Sequence, residues 1–288
     1  MTVARTPGEL APARRAAAIG TFDGVHRGHR RVLESARVPG LRTTVVTFEP
    51  HPRIVLGRGV ELLATTERRL ELLAAAGVDD VLLLRFDEAL AELSAERFAE
   101  TMLRDAGIEL VAAGETFRFG HRRGGDLDLL ARLGFDVRPV PLAEGISSSQ
   151  IRALVHAGEL EAAAELLGRP HEVEGVVVRG DGRGRLLGFP TANLDVAADL
   201  LVPADGVYAG SALGRRAAVS IGTNPHFDGV ERRVEAHLLD FDGDLYGERL
   251  VVELWRPLRE QARFDSVEEL VAAIAEDVER ARRAEPPA

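Results

Sequence analysis

The chain has 288 residues, 45% hydrophobic and 28% charged, which suits one large globular domain or two ordinary ones. It contains no cysteine, which excludes disulfides and thiolate metal sites, and no apolar run reaches the roughly 18–20 residues that a bilayer span requires. A formal charge of −10 argues against a general nucleic-acid binder, and the complete lack of lysine excludes a Schiff base or a Walker-type phosphate loop. The opening MTVARTPGELAPARR lacks the apolar core of an export signal, so the expectation is a cytoplasmic protein without membrane partners.

The first apolar run, Ala16–Ile19, leads directly into Gly20-Thr21-Phe22-Asp23-Gly24-Val25-His26-Arg27-Gly28-His29. The amphipathic segment His29–Ala36 follows, so the order reads strand, phosphate loop, helix. Gly20, Phe22, Asp23, Gly24 and Gly28 are the phosphate-binding candidates. His26 and His29 are three residues apart and share one face of the first helical turn. Two imidazoles there are placed to donate to a departing pyrophosphate, or else simply to cap and pack. Strand candidates Thr43–Phe48, Val81–Leu84, Leu110–Ala113 and Val137–Val140 then alternate with helix candidates Glu67–Ala76, Ala95–Leu103 and Leu127–Leu133. That alternation predicts a parallel sheet, whose ligands bind at the carboxyl ends of its strands.

Three further features belong to this half. Thr47-Phe48-Glu49-Pro50-His51-Pro52 is a rigid turn, structural or substrate-contacting. Glu115-Thr116-Phe117-Arg118-Phe119-Gly120, with Asp126 just beyond, puts aromatics among arginines. Such a set suits a planar heterocycle with a phosphate, and core packing of Phe117 and Phe119 explains it equally. Ile146–Leu167 reads as two short helices broken at Gly158. Ser147, Ser148 and Arg152 at its start offer a second phosphate site, while Ser147-x-x-Gln150 also fits a capping box.

After Gly168-Arg169-Pro170 the pattern changes to short β-rich runs: Val173–Arg179, Gly206–Leu213, Ala217–Gly222, Val234–Phe241 and Leu250–Leu258. They predict a small antiparallel barrel, closed by a helix from the capping box at Ser266 to about Arg282. Within it, Gly180-Asp-Gly-Arg-Gly-Arg-Leu-Leu-Gly-Phe-Pro-Thr-Ala-Asn193 has four glycines that let backbone N–H groups close around phosphates. Gly182, Gly184, Arg185, Gly188 and Pro190 are its phosphate-binding candidates, and Thr191 and Asn193 are oxygen donors of the kind Mg²⁺ accepts. On a strand, Glu235 shares a face with His237 and Leu239. A carboxylate on so apolar a strand is paired or catalytic.

GTFDGVHRGH, TFEPHPR, the FRFG…GD stretch and ISSSQIR resemble the HxGH nucleotidyltransferases, most closely the adenylyltransferase half of the prokaryotic bifunctional riboflavin kinase/FMN adenylyltransferase family. LLGRP, RGRLLGFPTANL, GVYA, SIGTNPHF, VEAHLLDFDGDLYG and the late FDS resemble its riboflavin kinase half. The resemblance implies an α/β chain: a Rossmann-like nucleotidyltransferase domain over residues 1–168, then a β-barrel kinase domain over 169–288 with a terminal helix. It implies riboflavin and FMN as substrates, ATP as co-substrate and Mg²⁺ as cofactor. Glu235 falls at the family's base position, Thr191 and Asn193 at its metal and nucleotide positions, and Thr116, Phe117, Phe119 and Asp126 in its flavin region. Three positions depart from the family pattern: Thr116 stands where Asp or Asn is usual, Ser149 where threonine is usual, and His226 where threonine is usual. A kinase with a weakened or inactive first domain, and a flavin-binding regulatory protein derived from the family, are the alternative readings.

Overall fold

The computed structural model describes all residues except 142–144, 181, 227, 228 and 288, with backbone only at 183, 223–226 and 229–231. The chain forms two compact units, one of residues 1–60 and 66–147, the other of residues 61–65 and 148–288.

In the first unit six strands form a sheet in the order β1-β4-β3-β2-β5-β6. They are β1 Thr2–Ala4, β2 Arg15–Ile19, β3 Arg42–Glu49, β4 Asp80–Arg85, β5 Ile108–Gly114 and β6 Asp136–Val140. Every neighbouring pair is parallel. The strands β2 to β6 are the expected ones. The short edge strand β1 is additional; three residues are too few to carry a periodic signal. All five residues of β2 are buried, because β3 and β5 flank it and both sheet faces are covered. Ala16, Ala18, Val45, Val81 and Leu83 pack on one side with Leu33 and Leu73 from helices Arg27–Ser35 and Thr66–Ala75. Ala17, Ile19, Val46 and Leu82 pack on the other with Phe98, Leu103 and Leu130. The helix expected over Ala95–Leu103 is α-helical at Ala95–Phe98 and widens to a π-helix at Ala99–Arg104.

Asp80 pins the amino edge of this sheet. It starts β4, is 2% exposed, and takes Arg42 Nε at 2.7 Å and Arg15 Nε at 3.2 Å. The Arg42 hydrogen bond, with help from Arg15, holds its carboxyl below the usual aspartate range despite burial. Three neighbouring strands are thus tied at their starts, which leaves the opposite edge to the loops.

The second unit is a closed barrel in the order β10-β11-β8-β7-β12-β9. Its strands are β7 His171–Val178, β8 Ala192–Val196, β9 Gly206–Ala212, β10 Arg215–His226, β11 Gly229–Leu238 and β12 Arg249–Arg259. Five were expected; β8 was read as part of the Gly-rich loop. Its Ala192 and Leu194 point into the core, so the period-2 signal was present but short. Helix Val267–Arg283 lies on the outside over Ala209, Ala218 and Trp255, and Ser266 caps it by accepting from Glu269 N–H.

The division between units falls earlier in the chain than the expected 168/169. Helices Ser148–His156 and Leu160–Leu167, separated by Gly158 at φ 76°, bury Ile151, Val155, Leu160, Ala163 and Leu167 in the barrel's own core cluster. The segment 61–65 joins them: Leu63 is 1% exposed in that cluster, and Leu201 N–H donates to Leu62 O at 2.8 Å.

His171 sits at the start of β7, 1% exposed, and its Nε2 donates to Leu201 O at 3.1 Å. Burial pushes its pKa from 6.5 down to about 4. A depressed folded pKa means that stability is fully present above 6.5 and is lost as pH falls through 4. The cost over that interval is about 3 kcal/mol from this group. Urea titrations followed through Trp255, the one tryptophan, should show it, and His171→Gln should remove most of that slope. An unchanged slope in the variant would assign the acid sensitivity elsewhere.

Candidate active sites

The loop after β2 is built from strained backbone. Phe22, Gly24 and Val25 all lie at positive φ (51°, 80° and 40°), and Val25 N–H donates back to Phe22 O at 3.0 Å. For a β-branched residue such a φ is costly and persists only where surrounding packing enforces it. Phe22 and Val25 are each 1% exposed, buried in the core beneath the loop. The tight turn delivers the chain to the N-terminus of helix Arg27–Ser35, where His26 is the cap.

His26 Nδ1 accepts from His29 N–H at 3.3 Å, which places the proton of its neutral ring on Nε2. The two imidazoles stack with centroids 3.6 Å apart, and Phe22 lies 5.1 Å from His29 on its other contact. Burial first, then the neighbouring His26 and Arg69, push His29 well below its ordinary pKa, so its ring is neutral at pH 7. Its Nδ1 is buried with no hydrogen-bond partner among the described residues. An orphaned ring nitrogen at a helix N-terminus is the kind of group a bound anion satisfies.

Arg69 was not singled out in the sequence. It is 5% exposed and donates to Thr21 O and Phe48 O, each at 3.0 Å. Thr47 Oγ also donates to Thr21 O at 3.0 Å. Together they tie the loop after β2 to the turn after β3. In ERRLELL nothing distinguishes this arginine from a surface one, because its role depends on contacts far along the chain. Within that turn, Glu49 pairs with Arg5 at 2.6 Å and His51 Nδ1 accepts from Arg53 N–H at 3.2 Å.

The flavin-region candidates separate. Phe119 is 8% exposed in the core and stacks on half-buried Phe117 at 5.6 Å. Asp126 caps helix Leu127–Arg132, accepting from Leu129 N–H at 2.9 Å, and pairs with Arg118. Thr116 is exposed at the carboxyl end of β5. Gly20 opens the loop after β2, Asp23 is a buried residue of that loop, and Gly28 lies in the first turn of helix Arg27–Ser35. Ser147 ends the first unit, whereas Ser148 and Arg152 belong to the second, where Arg152 Nε donates to Glu61 O at 2.6 Å.

In the barrel, Val234, Ala236 and Leu238 of β11 fill the interior, so Glu235 and His237 project outward. Glu235 faces Asn193 across the β8–β11 pair, and Thr191 Oγ donates to Glu235 Oε2 at 3.2 Å. A hydroxyl, an amide and a carboxylate therefore share one outer patch. The loop before it is shaped by glycine. A Cβ on Gly180 would lie 2.5 Å from Asn193 Oδ1, and one on Gly184 would lie 2.4 Å from Phe189 O. Gly182 and Gly188 adopt φ of 69° and 89°. Arg185 and Pro190 are exposed on the loop. Asp181 and Phe227, from the expected motifs, lie outside the described residues, as does the side chain of His226.

A glycine-rich helix terminus in one unit and an outward polar patch in the other fit a fused nucleotidyltransferase and kinase. The FAD synthetase family matches residues 9–150 and the riboflavin kinase family residues 167–285. The chain belongs to the bifunctional riboflavin kinase/FMN adenylyltransferase family. The Escherichia coli member is 39% identical over 284 residues, covering 92% of this chain and 90% of its own. The Listeria monocytogenes member is 37% identical over 287 residues with the same coverage. A crystal structure from Streptococcus pneumoniae, described as a macrolide-efflux protein, shares 32% identity with a TM-score of 0.88, covering 98% of this chain and 99% of that one. That description concerns the other protein; no helix among the described residues here is long and apolar enough to cross a membrane.

Gly180→Ala tests the outer patch. Gly180 does not require positive φ, so the added methyl is borne by moving the Asn193 side chain rather than by unfolding. Riboflavin phosphorylation should fall about 10²-fold, the usual cost of a misplaced site group, with thermal stability nearly unchanged. Normal phosphorylation would place Asn193 outside the kinase site.

Proposed function

We propose that the barrel unit phosphorylates riboflavin with Glu235 as general base, and that the first unit adenylylates FMN through the His26–His29 helix terminus. The Thr191–Glu235 contact, with Asn193 directly opposite, is the observation that carries the kinase assignment. The nucleophile there is a neutral ribityl hydroxyl. Its proton passes to the Glu235 carboxylate as the oxygen bonds the γ-phosphorus of ATP and ADP leaves.

Thr191 and Asn193 are the residues that would hold Mg²⁺. No group of three or more His, Asp or Glu able to hold a metal occurs among the described residues. A few oxygen donors suit a cation that arrives on nucleotide phosphates and keeps much of its water. When bound it supplies positive charge to the polyphosphate.

In the first unit FMN's phosphate is already an anionic nucleophile, so no strong base is required. Its oxygen bonds the α-phosphorus of ATP and the bond to pyrophosphate breaks. The N-terminus of helix Arg27–Ser35, the glycine-rich turn and the two imidazoles would carry the developing charge. Because His29 is neutral, it would act by hydrogen bonding and not as a fixed cation. Gly20, Asp23, Gly24 and Gly28 support a backbone cradle, with Ser147 as a further phosphate contact. Thr116 and Phe117 would meet the flavin at the end of β5, with Phe119 and Asp126 supporting them from the core and the helix cap.

Flavins separated by chromatography after incubation with ATP, Mg²⁺ and either riboflavin or FMN test both assignments. Glu235→Gln should lower FMN formation by about 10²–10⁴-fold and leave FAD formation from supplied FMN intact. Unchanged phosphorylation would remove Glu235 from the mechanism. His29→Ala should do the reverse, costing FAD formation about 10²–10³-fold while phosphorylation holds. A joint loss of both activities in a folded variant would contradict two separate sites.

A further inference from the structure

The kinase patch has a support that the reaction itself does not call for. His237 follows Glu235 by two residues on the outward face of β11. Its Nδ1 lies 2.8 Å from Pro190 O, and its ring meets Phe189 edge-on with centroids 5.7 Å apart. A carbonyl oxygen only accepts, so Nδ1 carries the proton and donates. Thr191, the next residue along, is the one that bonds Glu235. The residues Phe189, Pro190 and Thr191 therefore meet β11 at two adjacent outward positions: the first two at His237, the third at Glu235. On the loop's other side, Phe189 N–H donates to Gly184 O at 2.8 Å, which closes the glycine-rich turn on itself.

We propose that His237 is a positioning residue for phosphorylation: its Nδ1–H bond to Pro190 O sets where Thr191 stands against Glu235 and so fixes the nucleotide loop on the barrel wall. The inference rests on the kinase reading above. It assigns His237 no proton transfer. The Nδ1–H donor persists whether the ring is neutral or protonated, so the support is independent of charge. The ring edge against Phe189 is secondary, because a non-directional contact holds the loop near the strand without fixing its register.

Two substitutions separate the donor from the ring. His237→Asn keeps an N–H near the position of Nδ1 and loses the ring. His237→Phe keeps a ring against Phe189 and loses the donor. Steady-state phosphorylation should show kcat/KM for ATP about tenfold lower in His237→Phe, the fold-change of one hydrogen bond, and within about threefold of wild type in His237→Asn. The pH profile of kcat should keep its shape in both. FAD formation from FMN by the same preparations, together with the thermal midpoint, reports folding of the whole chain. If His237→Phe keeps wild-type kinetics, or both variants lose activity equally, the positioning role is overturned. If His237→Asn loses a limb of the pH profile, His237 transfers a proton and the proposal is likewise wrong. Should His237→Phe fail to fold, His237→Leu, which also lacks the donor, replaces it: a loss of about tenfold beside near-normal His237→Asn upholds the inference, and wild-type kinetics overturns it. Glu235→Gln run in parallel keeps the two questions apart. If that variant phosphorylates normally, the base assignment is at fault, whatever His237 does.

Discussion

Six strands running one way put every loop that leaves a strand's carboxyl end on the same edge of the first unit's sheet. The rest of that unit depends on this constraint. The strand order reverses at β2 and β5: β3 and β4 lie on one side of the pair, β6 on the other. Chains leaving β2 and β5 diverge there and open a crevice. The loop with the stacked imidazoles leaves β2, and the aromatic loop leaves β5. The buried Asp80–Arg15 pair, reinforced by the half-exposed Arg42, secures the opposite edge. Breaking a buried pair of this kind typically costs about 3–5 kcal/mol, because the surviving charge is left without a partner.

The barrel solves a different problem. Closure makes the inside dry and apolar, so polar chemistry must be on the outer wall. Ala192 and Leu194 of β8 and Val234, Ala236 and Leu238 of β11 take the inside positions. The period of two then sends Asn193, Glu235 and His237 out together. Register sets which of these face each other: one residue of slip would bring Asn193 opposite an inward residue of β11 and bury Glu235. Helix Val267–Arg283 covers the outer wall at Ala209, Ala218 and Trp255 and leaves Glu235 half-buried rather than sealed.

Local strain is present in the loop after β2, where function is assigned. Phe22 and Val25 hold left-handed backbone conformations in a loop whose side chains are core residues. The packing of those side chains supplies the stabilisation that offsets the strain. Asp126 and Phe119 illustrate the converse: the family resemblance implies a flavin region there, and the structure engages them as a helix cap and a core aromatic.

The sequence by itself determined the fold class, the succession of nearly all strands along the chain, the helix that follows the glycine-rich loop and the face shared by Glu235 and His237; that this face is outward came from the barrel. What the sequence determined follows from local periodicity, glycine placement and capping chemistry, which act over a few residues. Only the tertiary structure decided the rest. Arg69 reaches Thr21 and Phe48 from 48 and 21 residues away, and no local pattern encodes that reach. The strand β8 was hidden in a glycine-rich loop because its five residues pair only with strands on either side. The helices of 148–167 joined the barrel because their apolar faces found its core, although their motif reads with the preceding half. Periodicity specifies that a face is apolar; which surface covers it is settled by long-range packing, where the buried area is gained.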